Sequence, residues 1–308
     1  MNRDSVDWRG YIPAITTPFD AELELDLDGW GELCEWMVAE GMHGIAVAGT
    51  TGEWFSLRPA ERARLFRVAA EVVRGRITVL GGCMAFTPRE VIGYAEAARD
   101  AGLDGILLTP PPYVVPTDRE LVAWYEAVSD AVELPICVYN WPRGTGVDIR
   151  PELLARLTEI PNVVAIKNST GDFGNFVRGL FAVRGAVRYF GVSMDESGLA
   201  LLREGADGTL GAGAVLGRDQ PGFFDAAWAG DTEEALRLGA RDRVLFRDWI
   251  APDYSMRFGS PQSVMKAALD LRGLPGGPPR PPLLPLTDDE IERVRATLTE
   301  LGLVAVPA

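Results

Sequence analysis

The chain has 308 residues, 47% of them hydrophobic and 24% charged, and a formal net charge of −14. That balance describes an ordinary globular chain with room for a large core, and the acidic excess excludes nucleic acid and anionic membrane as partners, since both require a positive face. A single histidine, His43, and three scattered cysteines, Cys34, Cys83 and Cys137, argue against a Ser-His-Asp triad, a multi-histidine metal site and a disulfide frame, and fit a reducing cytoplasm.

A strand followed by a helix recurs from residue 11 onward. Apolar strand-like runs are expected at 11–16, 44–48, 77–81, 105–108, 135–139, 163–167, 187–190 and 208–210. Between and after them, helical periodicity marks 28–40, 59–74, 88–101, 118–132, 151–158, 173–183, 196–204 and 220–229. Pro59, Pro88 and Pro151 stand at first-turn positions, and Thr117 precedes Asp118 as a cap. Eight such units in about 230 residues predict an α/β fold, a (β/α)8 TIM barrel over residues 1–230. A doubly wound open sheet is the alternative, but the first turn lacks a G-x-G-x-x-G loop. Three further helices, at 232–249, 261–271 and 288–301, form a C-terminal helical segment over 231–308. The proline-rich strip 274–285 reads as a packed connector. No run is apolar and long enough to span a bilayer, and the first residues carry no signal-peptide core.

In such a barrel, residues just past the strands' carboxyl ends share one mouth. Those positions hold Thr16, Thr17, Thr50, Thr51, residues 109–113, Tyr139, Lys167, Asp195, Glu196 and residues 210–213. One amine among phenols, hydroxyls and backbone amides suits imine chemistry better than metal or acyl-transfer chemistry. Lys167 ends the apolar run VVAIK, so burial would lower its pKa and free the amine to attack a 2-oxo acid. Tyr139 ends the preceding strand, where its phenol can move protons. Gly49-Thr50-Thr51-Gly52-Glu53 lies between strand and helix. Its glycines let consecutive N–H groups turn toward one small anion, a carboxylate rather than a dinucleotide. Residues 205–217 (GADGTLGAGAVLG) read as tight packing that leaves room for a small substrate near Leu210. A phosphate cradle is the other reading of that glycine run. His43, before the second strand, and the acidic run 22–28 read as structural and solvated.

The motifs VYNWP-R-GTG, AIKNSTGD and GTTGE, with RPPLLPLTDDE before the last helix, resemble the dihydrodipicolinate synthase / N-acetylneuraminate lyase family over nearly the whole chain. The resemblance implies a lysine Schiff-base lyase or synthase with no cofactor and no metal. Lys167, Tyr139, Thr50 and Tyr113 would be catalytic, and Tyr113 would reach across a subunit contact in a dimer or tetramer. The 2-oxo acid carboxylate would rest on Gly49, Thr50 and Thr51. Two features depart from the synthase pattern. Its carboxylate-binding Arg falls at Gly144, with Arg143 one residue early, and Trp54, Phe55, Pro59, Arg62, Phe86 and Pro112 stand where a feedback lysine would bind. Asp195-Glu196 has the spacing of the lyase branch's hydroxyl contact, but that branch's serine falls at Ala212. The expected second substrate is therefore a hydroxylated aldehyde or sugar-acid type, with aspartate semialdehyde as the alternative. A non-catalytic 2-oxo acid binding barrel is the alternative of another class.

Overall fold

In a computed structural model of the protein, residues 1–251 and 255–305 are described; the last three residues of the expected C-terminal segment lie outside them. Eight parallel strands run in the order β1-β8-β7-β6-β5-β4-β3-β2. They are β1 (Gly10–Tyr11), β2 (Gly44–Val47), β3 (Thr78–Gly82), β4 (Gly105–Leu108), β5 (Ile136–Asn140), β6 (Val163–Asn168), β7 (Arg188–Phe190) and β8 (Gly208–Thr209). The sheet closes on itself at Ala14, which bridges Ala46 on one side and Ala212 on the other. The structure is therefore a (β/α)8 barrel followed by further helices.

The first strand is shorter than its apolar run predicts, two paired residues instead of six. Pro13 has no N–H to give the ladder, so the regular strand ends before it, although its carbonyl still accepts the Ala46 N–H and Ala14 bridges both neighbours.

The crossover helices begin where their signals stand. In α3 (Pro88–Asp100) and α4 (Asp118–Ala131), Thr87 and Thr117 form capping boxes with Glu90 and Glu120. Pro59 opens α2 (Pro59–Val73), and Pro151 opens α6 (Pro151–Leu157). The short helix α5 (Pro142–Thr145), which periodicity does not reveal, is a single turn stopped by Gly146 at φ 71°. The remaining helices are α1 (Leu27–Ala39), α7 (Phe173–Val183), α8 (Glu196–Arg203), α9 (Asp219–Ala229), α10 (Thr232–Trp249), α11 (Pro261–Leu271) and α12 (Asp288–Glu300).

Two apolar layers result. Alternate strand residues fill the barrel's interior, among them Ile12, Ala46, Leu80, Leu107, Cys137, Ala165, Phe190 and Leu210. The other face of the strands packs on the helices. Trp8 is fully packed against Gly105, the first residue of β4, and so closes the amino-terminal end. The opposite end is left for chemistry. A third cluster joins α10, α11 and α12 around Trp249, Val264 and Leu298. Among the described residues, no helix is long and apolar enough to cross a membrane.

Candidate active site at the barrel mouth

The ladder between β5 and β6 pairs Tyr139 with Lys167 in register. Both side chains point into the interior, one layer above Cys137 and Ala165. The Lys167 amine lies 4.1 Å from the centroid of the Tyr139 ring. Lys167 is only 7% exposed, and among the described residues it makes no salt bridge. Burial therefore acts without a carboxylate to oppose it and pushes the amine down to about 8, the Cys137 thiol working weakly the other way. Roughly a tenth of the amine is then neutral at pH 7, against well under 0.1% for an ordinary lysine.

Burial holds the Tyr139 phenol well above its ordinary pKa, although the neighbouring Ser169 and Thr50 hydroxyls pull it back. It stays a proton donor at neutral pH. Thr50 lies close enough to lower the phenol's pKa, yet its buried Oγ1 completes no hydrogen bond of normal geometry. Ser169, two residues past Lys167, joins the site without any signal in the sequence beyond its place at a strand end.

Register at the pair is fixed from the next residues along. Asn140 and Asn168 are buried and face each other, Asn140 Nδ2 donating to Asn168 Oδ1 at 2.9 Å and to Asp148 Oδ1 at 2.9 Å. Asn140 Oδ1 accepts the Ile149 N–H, and Asn168 Nδ2 donates to the Tyr189 hydroxyl. A slip by one residue would turn Tyr139 and Lys167 out of the barrel and break all four bonds.

The loop after β2 keeps its compact turn because Gly52 packs against Ala48 and Ile15, where a Cβ would lie 3.0 Å from both. The N–H groups of Thr50 and Thr51 donate to no protein acceptor among the described residues. Gly49 and Leu210 stand with them at the mouth, Leu210 on the interior layer shared with Tyr139.

Other expected site residues are placed elsewhere. Tyr113 is 92% exposed with a left-handed φ of 72° and does not reach the Tyr139–Lys167 pair of its own chain. Asp195 caps α8, its Oδ1 taking bonds from Ser193, Ser197 and the Gly198 N–H. Burial raises its pKa, but those bonds outweigh it and leave the carboxylate below its ordinary value. Glu196 turns outward, 3.6 Å from Arg243 of α10. Arg143 is exposed on α5. Trp141, a residue that sequence reasoning passed over, stacks on Tyr139 at 6.0 Å and 19° between ring planes. A Cβ at Gly144 would overlap its indole.

A parallel barrel with a desolvated lysine and a phenol side by side at its carboxyl end has the design of a class I, lysine-dependent lyase. The comparisons agree. The Dihydrodipicolinate synthetase family profile matches residues 7–301. The 4-hydroxy-tetrahydrodipicolinate synthase of Acidothermus cellulolyticus is 35% identical over 293 residues, 94% of this chain and 92% of that protein. The 4-hydroxy-tetrahydrodipicolinate synthase 2 of Streptomyces coelicolor is 36% identical over 295 residues, 95% of each. Among solved structures, the chloride-inhibited dihydrodipicolinate synthase of Acinetobacter baumannii complexed with pyruvate superposes with a TM-score of 0.85. It is 32% identical and covers 96% of this chain and 99% of its own. The chain belongs to the dihydrodipicolinate synthetase family.

Proposed function

We propose that Lys167 forms a Schiff base with pyruvate or a related 2-oxo acid, and that the resulting enamine is joined to, or released from, an aldehyde. The observation that carries this reading is the in-register Tyr139–Lys167 pair, its amine buried and paired with no carboxylate among the described residues. The neutral amine attacks the ketone carbon, and the Tyr139 phenol protonates the departing hydroxyl, which leaves as water. The Tyr139 phenolate so formed takes a proton from the adjacent carbon to give the enamine, and the phenol returns it to the aldehyde oxygen as the enamine adds to the aldehyde carbon. Hydrolysis of the imine then returns the lysine. The imine is its own electron sink, so the reaction needs no separate cofactor. The unpaired amides of Thr50 and Thr51 support a carboxylate on that loop. Tyr113, exposed on a strained backbone, is read as the residue that a second copy brings to the relay, in an acidic enzyme of the cytoplasm.

For the second substrate we propose a hydroxylated aldehyde or sugar-acid type. Gly144 carries no cation, and the Trp141 indole fills the space a side chain there would take. An aromatic face suits the C–H face of a polyhydroxy chain better than a carboxylate. The Ser193–Asp195–Ser197 hydroxyl cluster lies past β7 on the same rim. The synthases to which the chain is similar favour a second reading, condensation of pyruvate with aspartate semialdehyde.

Borohydride with pyruvate should leave one reduced adduct, mapped to Lys167. A non-catalytic binding barrel would leave none. kcat/KM for hydroxylated aldehydes against aspartate semialdehyde then separates the two substrate readings. A clear win for aspartate semialdehyde, abolished by Arg143→Ala, would show that the early arginine reaches the site and would overturn our choice.

A further inference from the structure

We infer that a buried clamp, made by Gln262 and Lys266 of α11 and Arg280 of the connector after it on Thr50 and Glu53, sets the shape of the loop that receives the substrate carboxylate. Glu53 is wholly buried, and so is the Lys266 side chain. One Glu53 oxygen lies 2.7 Å from Lys266 Nζ, and the other accepts the Arg280 backbone N–H at 2.9 Å. At the loop's other end, Gln262 Nε2 donates to the Thr50 carbonyl at 2.9 Å. Arg280 is anchored in turn by both Glu61 oxygens, at 2.8 and 2.9 Å, and by the Leu23 and Ser56 carbonyls. Lys266 Nζ also donates to the Pro278 carbonyl. The Lys266 and Arg280 cations both lie on Phe19, 4.3 and 4.1 Å from its ring centroid.

Two arguments make this a positioning device and not only a fastening. Glu53 has a left-handed φ of 57°, which a non-glycine residue adopts only when its surroundings impose it. A buried ion pair is also a poor way to gain stability, because desolvation cancels most of the attraction and an apolar pair of similar volume often does as well. What the charged pair adds is a unique geometry. Here that geometry is passed directly to the backbone carrying the free Thr50 and Thr51 amides and to the Thr50 hydroxyl beside Tyr139.

The inference rests on reading loop 49–53 as the carboxylate site, and the experiment separates the two. Glu53→Gln/Lys266→Met removes both charges together and keeps an acceptor for the Arg280 N–H. It should melt near the wild-type temperature, yet raise KM for pyruvate at least tenfold while kcat at saturating pyruvate changes far less. Lys266→Arg, which keeps a cation, should recover part of that loss. A wild-type KM in the folded double variant would overturn the clamp. Gln262→Leu, which removes the hydrogen bond to the Thr50 carbonyl, serves as the second measurement if the double variant fails to fold. It should raise KM at least threefold with the melting temperature unchanged, and an unchanged KM again overturns the clamp. Absence of any borohydride adduct in the wild-type protein, with any 2-oxo acid, would overturn the site reading and the clamp with it.

Discussion

Lys167 and Lys266 are both buried, and each amine lies against an aromatic ring, 4.1 Å from Tyr139 and 4.3 Å from Phe19. Burial lowers the pKa of both. The difference is the company of the charge. Lys266 has the Glu53 carboxylate at 2.7 Å and the Pro278 carbonyl, which resist its deprotonation. Among the described residues Lys167 pairs with no carboxylate, and a thiol lies one layer beneath it. Burial is thus common to a structural cation and to the proposed nucleophile. The counter-ion separates them.

The comparison breaks most visibly if the same substitution acts alike at both places. Lys167→Met should abolish the pyruvate adduct and lower turnover by at least ~10⁴-fold, because the covalent route is gone. An intact-mass measurement after borohydride checks it, and residual adduct at Lys266 would show that the two lysines are not distinct in kind. Tyr139→Phe should leave the nucleophile in place but cost roughly 10²–10⁴-fold in kcat, the usual worth of a positioned proton donor. Unchanged turnover would make the phenol a packing residue.

Lys266→Met should behave in the opposite sense. It should still form the Lys167 adduct at saturating pyruvate, while losing about 3–5 kcal/mol of stability in urea unfolding, since Glu53 is left as an unpaired buried charge. A loss of less than about 1 kcal/mol would mean that water reaches Glu53.

The smallest effect concerns pH. Below its pKa of about 8 the Lys167 amine is protonated and cannot attack. The rate of imine formation should therefore climb about tenfold per unit on the acid side and level off above it. A rate still rising near pH 10 would mean an ordinary, solvated lysine.

How much of this was legible in the sequence depends on the range of the forces involved. The strand–helix alternation, the capping residues and the Tyr139 and Lys167 strand ends are local signals, and the barrel follows them closely. The seam at Ala14 was not legible, because one bridging residue between two strands leaves no periodic trace. No local signal marks Lys266 as a buried cation. Its partner Glu53 lies 213 positions earlier, and only the tertiary fold brings them together. Trp141 escaped notice for a related reason, since its stacking on Tyr139 and its contact over Gly144 depend on the single turn α5. At Asp195 the spacing that hints at a substrate contact is also the spacing of a helix cap, and the structure puts at least one oxygen to that second use.

The thiol beneath the Tyr139–Lys167 pair has a further consequence. Burial pushes Cys137 and Cys83 up to about 12 and Cys34 higher still. None is a thiolate at neutral pH, and all three are buried, so the intact fold offers electrophiles and peroxides no thiolate to capture. The barrel can thus handle reactive carbonyl compounds continuously without accumulating thiohemiacetals or sulfenic acids. Its selectivity for nitrogen over sulfur comes from the packing, in a chain whose free cysteines are intrinsically the better nucleophiles.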